Sequence, residues 1–284
     1  MIVYLNGVFK PLLEASLDPT DRGFLLGESV FETIRVEQAQ PLEYEAHTRR
    51  LQASAAWLGV RCPGAAELLE VIQQTVDANG LAAARVRITL SPGSEPGGAP
   101  TLLVAALPID DALLDRQRMA GWHALTVQEP VNERSSLRRH KCGSYLEQVR
   151  ARRLAQANGA DEALLLNTLG RVAECAMANL FAVLEGDLIA TPPVEEGALP
   201  GVMRRRVLAL ADELGLDSAE VPLTPEDLRK AQELFATNVM IQVQPIVTLD
   251  GAAVGSGGPG SLTRQLFRAH RADVDRYLFE VRRG

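Results

Sequence analysis

The chain has few cysteines, no long apolar run and no excess of positive charge. Its three cysteines, Cys62, Cys142 and Cys175, have no metal-ligand spacing and cannot all pair, so free thiols in a reducing compartment are expected. No apolar run reaches the length of about eighteen residues that a membrane span needs. The net charge of -7 argues against a nucleic-acid partner, because phosphate backbones are bound by basic patches. The N-terminal MIVYLNGVF lacks a basic segment before its apolar residues, so we expect a cytoplasmic protein rather than a secreted one.

The composition is that of an ordinary globular protein. A chain of 284 residues with 46% hydrophobic and 23% charged residues can bury a large core. We predict two domains, 1–118 and 119–284, divided after the charged stretch DDALLDRQR.

Strand and helix signals alternate in the first segment. Asn6-Gly7 predicts a β-hairpin. Helical spacing of apolar residues predicts helices over 45–60, where Gly59 ends the helix, and over 65–80. RVRITLS and TLLVAAL predict paired strands, so we expect an α+β unit that ends near residue 115.

The second segment is predicted to hold two hairpins among helices. A helix over 144–158 precedes the pairs EALLLN with RVAECAM and NLFAVL with LIAT. VMRRRVLALADELG and the tail SLTRQLFRAHRADVDRYLFEV have helical spacing. We expect LFATNVMIQVQPI to form one buried strand.

Lys141 is a candidate amine nucleophile. It follows Arg138, Arg139 and His140, and neighbouring cations together with burial lower the pKa of a lysine. Taken alone, the same run is better explained as a solvated basic segment. The adjacent Cys142 is more simply a packing residue than a reactive thiol.

Three further positions suggest groups that could hold a phosphorylated cofactor. Glu174 lies in an apolar strand, where its carboxylate needs a partner such as a pyridinium nitrogen or, alternatively, an arginine. Gly201 before VMRRR predicts a helix start that could bind phosphate, or else a plain Pro-Gly helix entry. Arg50, which shares a helix with His47, could bind the same phosphate or lie on the surface. An amine, an acid and a phosphate site together are what pyridoxal 5'-phosphate needs.

These segments, in this order, resemble the class IV, fold-type IV pyridoxal phosphate enzymes, which include branched-chain aminotransferases, D-amino-acid aminotransferases and aminodeoxychorismate lyases. The resemblance extends from DRGFLLGESVFETIRV through HTRRL, DEALLLNTLGRVAE and LPGVMR to LFATNVMIQVQPI. It implies an α+β fold with a smaller N-terminal α/β domain and a larger C-terminal pseudo-barrel domain. It also implies pyridoxal 5'-phosphate as the cofactor, a small-molecule amino substrate, no metal and a homodimer.

The resemblance implies roles for individual residues. Lys141 would bind the cofactor covalently and move the proton at the substrate Cα, and Thr33 would assist near the leaving group. Glu174 would keep the pyridine nitrogen protonated. The other residues that would surround the cofactor are Arg50, Leu199, Val202, Met203, Asn238 and Val239. Those that would lie near the substrate are Arg35, His140 and Tyr145. Thr33 and Arg35 would share one face of a strand, although cross-strand pairing alone would also explain them.

Within the family, the sequence favours the lyase of folate biosynthesis, which releases pyruvate and 4-aminobenzoate from 4-amino-4-deoxychorismate. Thr33, Met203 and Asn238 resemble that lyase, as do LEQV and ECAMANLF. The loop SPGSEPGGAP, however, lacks the arginine that the family usually carries there. His140 and Tyr145 also replace residues more usual beside the lysine. The alternatives are a transaminase for D-amino acids, branched-chain amino acids or amines, and a cofactor-binding protein without turnover.

Overall fold

The computed structural model describes residues 1–95 and 97–283, which form two compact units. The first unit contains Met1–Ile109 and His140–Tyr145, and the second contains Asp110–Arg139 and the chain from Leu146 onwards. The division therefore falls before the predicted boundary at 118, and the segment around Lys141 belongs with the first unit. Within the described residues, no helix is both long and apolar enough to cross a membrane.

The first unit contains six strands and three α-helices within its described residues. They are β1 (Ile2–Leu5), β2 (Val8–Pro11), α1 (Arg22–Leu26), β3 (Val30–Glu37), β4 (Gln40–Pro41), α2 (Tyr44–Leu58), α3 (Ala65–Ala78), β5 (Ala83–Ser91) and β6 (Thr101–Pro108). The strands form an antiparallel sheet in the order β2-β1-β6-β5-β3-β4.

The two faces of this sheet differ because successive side chains of a strand point to opposite sides. One face is apolar and packs on the helices, with a core that includes Ile34, Ile88, Leu51 and Ile72. On β3, the residues in the alternate positions are Phe31, Thr33, Arg35 and Glu37. The second face of β3 thus carries the aromatic and polar groups considered below.

The second unit has a larger sheet. Its helices and strands are α4 (Asp111–Ala120), β7 (Trp122–Thr126), α5 (Leu146–Ala157), β8 (Glu162–Leu166), β9 (Val172–Cys175), β10 (Asn179–Val183), β11 (Ile189–Thr191), α6 (Val202–Glu213), β12 (Ser218–Glu220), α7 (Pro225–Lys230), β13 (Glu233–Asn238), β14 (Gln242–Leu249), β15 (Ala252–Ala253) and α8 (Ser261–Val281). The strand order is β12-β11-β10-β13-β14-β7-β8-β9, with β15 beside β14. The pairs β7 with β8, β7 with β14 and β11 with β12 are parallel, and the others are antiparallel.

Most of the predicted elements are confirmed. The hairpin turns at Asn6 and Gly7, both with positive φ, and α2 ends at Gly59 in the left-handed conformation. The α+β class and the terminal helix are also confirmed. One prediction was wrong, because LFATNVMIQVQPI forms two antiparallel strands, β13 and β14, instead of one. Asn238 explains the difference, since its side-chain oxygen accepts the backbone N–H groups of Met240 and Ile241 and turns the chain.

Candidate active site

The backbone of the segment around Lys141 pairs with the beginning of β3. The carbonyl of Lys141 accepts the Phe31 N–H at 2.8 Å, and the Gly143 N–H donates to the Ser29 carbonyl at 2.7 Å. Gly143 permits this approach, because a Cβ atom there would lie 2.1 Å from the Ser29 hydroxyl oxygen. These bonds fix the backbone that carries the Lys141 amine.

The side chain of Lys141 lies against aromatic rings. Its Nζ atom is 4.5 Å from the centre of the Phe31 ring and 5.6 Å from that of Tyr145. The two rings meet edge to face, with centres 5.4 Å apart. Such contacts hold a cation by its attraction to the ring face. Tyr145, predicted to lie near the substrate, therefore contributes to the surroundings of the amine.

Arg87 is a candidate residue that the sequence interpretation missed. On β5 it is the direct partner of Thr33 on β3, and its guanidinium carbon lies 3.8 Å above the centre of the Phe31 ring. Its Nε donates to the Thr89 hydroxyl at 3.3 Å, and among the described residues no carboxylate lies within 4.0 Å of it. Arg87 keeps solvent access, yet partial burial of the guanidinium lowers its pKa. The alternation of RVRITLS, which puts Arg85 and Arg87 on one face, was a signal that could have identified it.

Two of the residues predicted near the substrate have other observed partners. Arg35 is buried, and its Nε donates to Glu37 at 2.5 Å. The His140 ring stacks on Trp57, with centres 4.3 Å apart, and its Nδ1 lies 3.3 Å from the Ser54 hydroxyl. These contacts anchor the residue before Lys141 to α2, and the substrate roles of Arg35 and His140 stay predictions.

Arg50, predicted to bind phosphate, pairs with a buried carboxylate. Its Nε and Nη2 donate to the two oxygens of Glu32 at 2.6 and 2.8 Å. His47 Nδ1 contacts the same carboxylate at 2.8 Å. Burial alone would raise the pKa of Glu32, but Arg50 and His47 outweigh it and lower that pKa to about 2. Arg50 is therefore held by β3 and is not a freely moving surface arginine.

Glu174 has the arginine partner that the sequence left open as one possibility. Arg138 Nη2 donates to its Oε1 at 2.9 Å, and Asn179 Nδ2 and the Leu199 N–H donate to its Oε2 at 3.1 and 2.9 Å. Arg138 is buried and also donates to the Gly197 carbonyl at 2.9 Å. The carboxylate of Glu174 is thus oriented by three donors, and Arg138 is a second residue that the sequence interpretation did not assign.

The start of α6 has the features of an anion site. Gly201 is its N-cap, so within the described structure no side chain caps the helix, and Val202 and Met203 are buried in the first turn. A Cβ atom on Gly201 would lie 1.9 Å from Asn179 Oδ1. The N-terminal amides of a helix and its dipole favour a negative group. The side chain of Asn238, predicted to help here, binds the Met177 carbonyl and its own turn.

Comparison with known proteins identifies the family. Residues 29–249 match the profile of the family described as amino-transferase class IV. The chain belongs to the class IV aminotransferase family. It is 33% identical over 277 residues to a putative branched-chain-amino-acid aminotransferase of Methanocaldococcus jannaschii, with 94% of each chain covered. It is 30% identical to the D-alanine aminotransferase of Bacillus licheniformis, again with 94% of each covered. It is 28% identical to the aminodeoxychorismate lyase of Bacillus subtilis, covering 98% of this chain and 97% of the relative.

Solved structures of class IV enzymes share the fold. The branched-chain amino acid aminotransferase of Escherichia coli superposes with a TM-score of 0.88 at 27% identity, covering 95% of this chain and 93% of the other. The branched-chain aminotransferase of Thermoproteus uzoniensis with norvaline gives 0.87 at 29% identity, also covering 95% and 93%. A further branched-chain amino acid aminotransferase was solved with pyridoxamine 5'-phosphate, and it gives 0.85 at 30% identity, covering 93% and 91%. The two-domain α+β fold of type IV is thereby confirmed.

The class IV membership makes this chain a pyridoxal-phosphate-dependent enzyme, so the alternative without turnover is set aside. The residues present fit the cofactor: Lys141 supplies an amine held on aromatic rings, Glu174 supplies an oriented carboxylate, and α6 begins at a glycine where an added Cβ would displace Asn179. Among the residues that the structure describes, no cluster of His, Cys, Asp and Glu is suited to a metal ion.

Proposed function

We propose that the chain is a 4-amino-4-deoxychorismate lyase that releases pyruvate and 4-aminobenzoate and so serves folate biosynthesis. Its substrate is a small amino compound that carries carboxylates and loses a carbon–oxygen bond next to the carbon bearing the amine. The site must then supply a base for that carbon, a cation for a carboxylate and a polar group near the departing oxygen.

The base is Lys141. Bound pyridoxal 5'-phosphate supplies an electron sink that stabilises negative charge at the substrate carbon. The Lys141 amine removes the proton from this carbon, and its contacts with Phe31 and Tyr145 restrict where the amine can point. The carbon–oxygen bond to the enolpyruvyl group then breaks, and its electron pair leaves with the oxygen. The released enolate takes up a proton to become pyruvate, and the ring becomes aromatic, which drives the elimination forward.

The position of Thr33 is the observation that carries the lyase assignment. Its hydroxyl is on the face of β3 that also bears Phe31, and its cross-strand partner is Arg87. Arg87 supplies the carboxylate-binding cation that the loop SPGSEPGGAP lacks. A hydroxyl beside such a cation suits a leaving group that itself ends in a carboxylate, as the enolpyruvyl group does.

The cofactor contacts in this proposal follow the family resemblance. Glu174 would hold the pyridine nitrogen, and its hydrogen bonds from Arg138, Asn179 and Leu199 would keep the carboxylate in place for it. The resemblance implies that Arg50, the first amides of α6 and the segment Asn238-Val239 would bind the phosphate and that Leu199 would pack on the ring.

A transaminase is the second candidate, because aminotransferases stand beside the lyase among the relatives of this chain. The two aminotransferase relatives are 33% and 30% identical to the chain, against 28% for the lyase. Such an enzyme would use the same lysine and carboxylate but would accept a second keto acid after releasing the first.

One experiment separates the two. Purified enzyme is given 4-amino-4-deoxychorismate, and pyruvate and 4-aminobenzoate are measured beside half-reactions with D-alanine, branched-chain amino acids and simple amines. The lyase assignment requires equal amounts of the two products and slow or absent reaction with the amino donors. A change in the cofactor spectrum with an amino donor, reversed by a keto acid, together with no pyruvate release from aminodeoxychorismate, would identify a transaminase.

The active form is proposed to be a homodimer. The short helix α1 exposes three large apolar side chains, Phe24, Leu25 and Leu26, at 73%, 58% and 62% of their surface. An apolar patch of this kind is typical of a protein interface. Sedimentation equilibrium tests this assembly, since a monomer at micromolar concentration would contradict it.

A further inference from the structure

Arg50, Glu32 and His47 form a linked group inside the first unit. His47 and Arg50 lie three residues apart on α2 and therefore share one side of the helix, while Glu32 comes from β3. Each of the two α2 side chains bonds to the Glu32 carboxylate. This carboxylate therefore connects the helix to the strand that carries Phe31 and Thr33.

The group is buried to a degree that stability alone does not explain. The side chains of Glu32 and His47 are each 1% exposed, and that of Arg50 is 13% exposed. Removing charges from water is costly, and apolar residues of similar size in such places are often equally stable or more so. A buried charged group of this kind instead fixes the orientation of its side chains, because each hydrogen bond to the Glu32 carboxylate restricts the directions that the other hydrogen bonds can take.

The hydrogen-bond roles are set by chemistry. An ionised carboxylate can only accept, so the proton shared with Glu32 resides on His47 Nδ1. The other ring nitrogen, Nε2, is buried and has no hydrogen-bond partner in the described part of the chain. The polar contact of the His47 ring is thus directed at Glu32.

The fork between Arg50 and Glu32 fixes the guanidinium plane. Its Nε and Nη2 both donate to the carboxylate, at 2.6 and 2.8 Å, so rotation about the end of the side chain would break two bonds at once. We propose that Glu32 and His47 are positioning residues, which hold the Arg50 guanidinium in the orientation that receives the phosphate group of the cofactor. This inference rests on the proposed role of Arg50, and it adds a specific task for two residues that have none in the proposed function.

The test compares two ligands that differ only in the phosphate. Full-length protein freed of cofactor by dialysis is titrated with pyridoxal 5'-phosphate and with pyridoxal, and the ratio of the two dissociation constants is measured. In His47→Leu the loss of one charge-assisted hydrogen bond should raise the dissociation constant for pyridoxal 5'-phosphate about tenfold and leave that for pyridoxal within about twofold. His47→Asn, whose amide nitrogen can replace Nδ1 as donor, should recover most of the affinity.

Glu32→Gln is the second variant, because it keeps the shape of the side chain but removes its charge, and it should change the ratio in the same direction. An equal rise for both ligands, or an unchanged ratio in His47→Leu and Glu32→Gln, would overturn the positioning role. Arg50→Ala distinguishes this failure from that of the proposed function. If Arg50→Ala also leaves the ratio unchanged, the phosphate role of Arg50 itself is wrong. If Arg50→Ala alone changes it, only the roles of Glu32 and His47 are wrong.

Discussion

Arg87 and Thr33 are direct cross-strand partners on β5 and β3, and the Arg87 guanidinium lies on the ring of Phe31, which also contacts the Lys141 amine. A cation without a carboxylate partner in the described structure is thereby brought to the aromatic ring that holds the candidate base.

Replacing Arg87 should weaken substrate binding. Arg87→Ala is expected to raise the KM for a carboxylate-bearing substrate about tenfold or more, because a charge-assisted hydrogen bond is lost, and to change kcat less. Arg85→Ala is the matched control on the same strand, since Arg85 is paired with Arg35 rather than with Thr33. Steady-state kinetics give KM and kcat for both variants. Equal effects of the two substitutions would contradict a specific role for Arg87.

Lys141→Ala should abolish both turnover and the visible absorption band of the bound cofactor, because the amine is the proposed covalent attachment and base. Lys230→Ala is the control, since Lys230 is exposed on α7 and pairs there with Glu226. Absorption spectra and product assays of the two variants test the assignment. A normal band in Lys141→Ala would refute it.

Glu174→Gln should retain the cofactor but slow proton removal by about 100-fold, because a neutral amide cannot stabilise a protonated pyridine nitrogen. The substitution preserves side-chain size, and Asn179 and Leu199 can still donate to its oxygen. A substrate deuterated at the reacting carbon isolates the step in single-turnover kinetics. Near-normal rates would indicate that Glu174 only neutralises Arg138.

The beginning of α6 permits a test with a matched pair of glycines. Gly201→Ala should destabilise the protein by about 2 kcal/mol and weaken cofactor binding, because the added Cβ would lie 1.9 Å from Asn179 Oδ1. Gly64, the N-cap of α3, has the same extended backbone and no atom within 4 Å of its would-be Cβ. Gly64→Ala should therefore have a much smaller effect. Urea unfolding and cofactor titration of both variants provide the measurement, and equal destabilisation would show that the contact with Asn179 is unimportant.

The burial of Glu162 should make the stability of the protein depend on pH. The residue is fully buried on β8, and burial raises its pKa to about 7. The folded state therefore binds a proton that the unfolded state releases near pH 4.5, so this residue lowers stability as the pH rises from there to about 7. The contribution of Glu162 to the free energy of unfolding falls by about 3 kcal/mol over this pH range. Glu162→Gln should remove this contribution, which urea unfolding at pH 5 and pH 8 would detect. An unchanged difference between the two pH values would mean that Glu162 does not titrate in this range.

Local patterns predicted most elements but not the partners of charged residues. The hairpin at Asn6-Gly7 and the end of α2 at Gly59 depend on backbone preferences that neighbouring residues reveal. The turn after Asn238 was missed because its flanking residues are apolar, and the decisive hydrogen bonds come from one side chain.

The residues that the structure adds to the candidate site depend on pairing between positions far apart in the sequence. The alternation of RVRITLS puts Arg87 on one face of its strand, but only the register of β3 and β5 shows that this residue lies opposite Thr33. Similarly, the salt bridge from Arg138 to Glu174 spans 36 positions. No local spacing rule specifies such a contact, so the sequence could only name an arginine as one possible partner.

The backbone pairing of His140–Tyr145 with the start of β3 has a consequence for biosynthesis. On the ribosome, the strand at Ser29–Phe31 emerges long before the lysine that completes it, because the closing segment lies beyond residue 139. Closing so long a loop is slow compared with forming local hairpins and helices. If Lys141 is the covalent attachment point, as proposed, capture of the cofactor must follow synthesis of the chain through His140–Tyr145, because a nascent N-terminal portion that ends before this segment lacks that lysine.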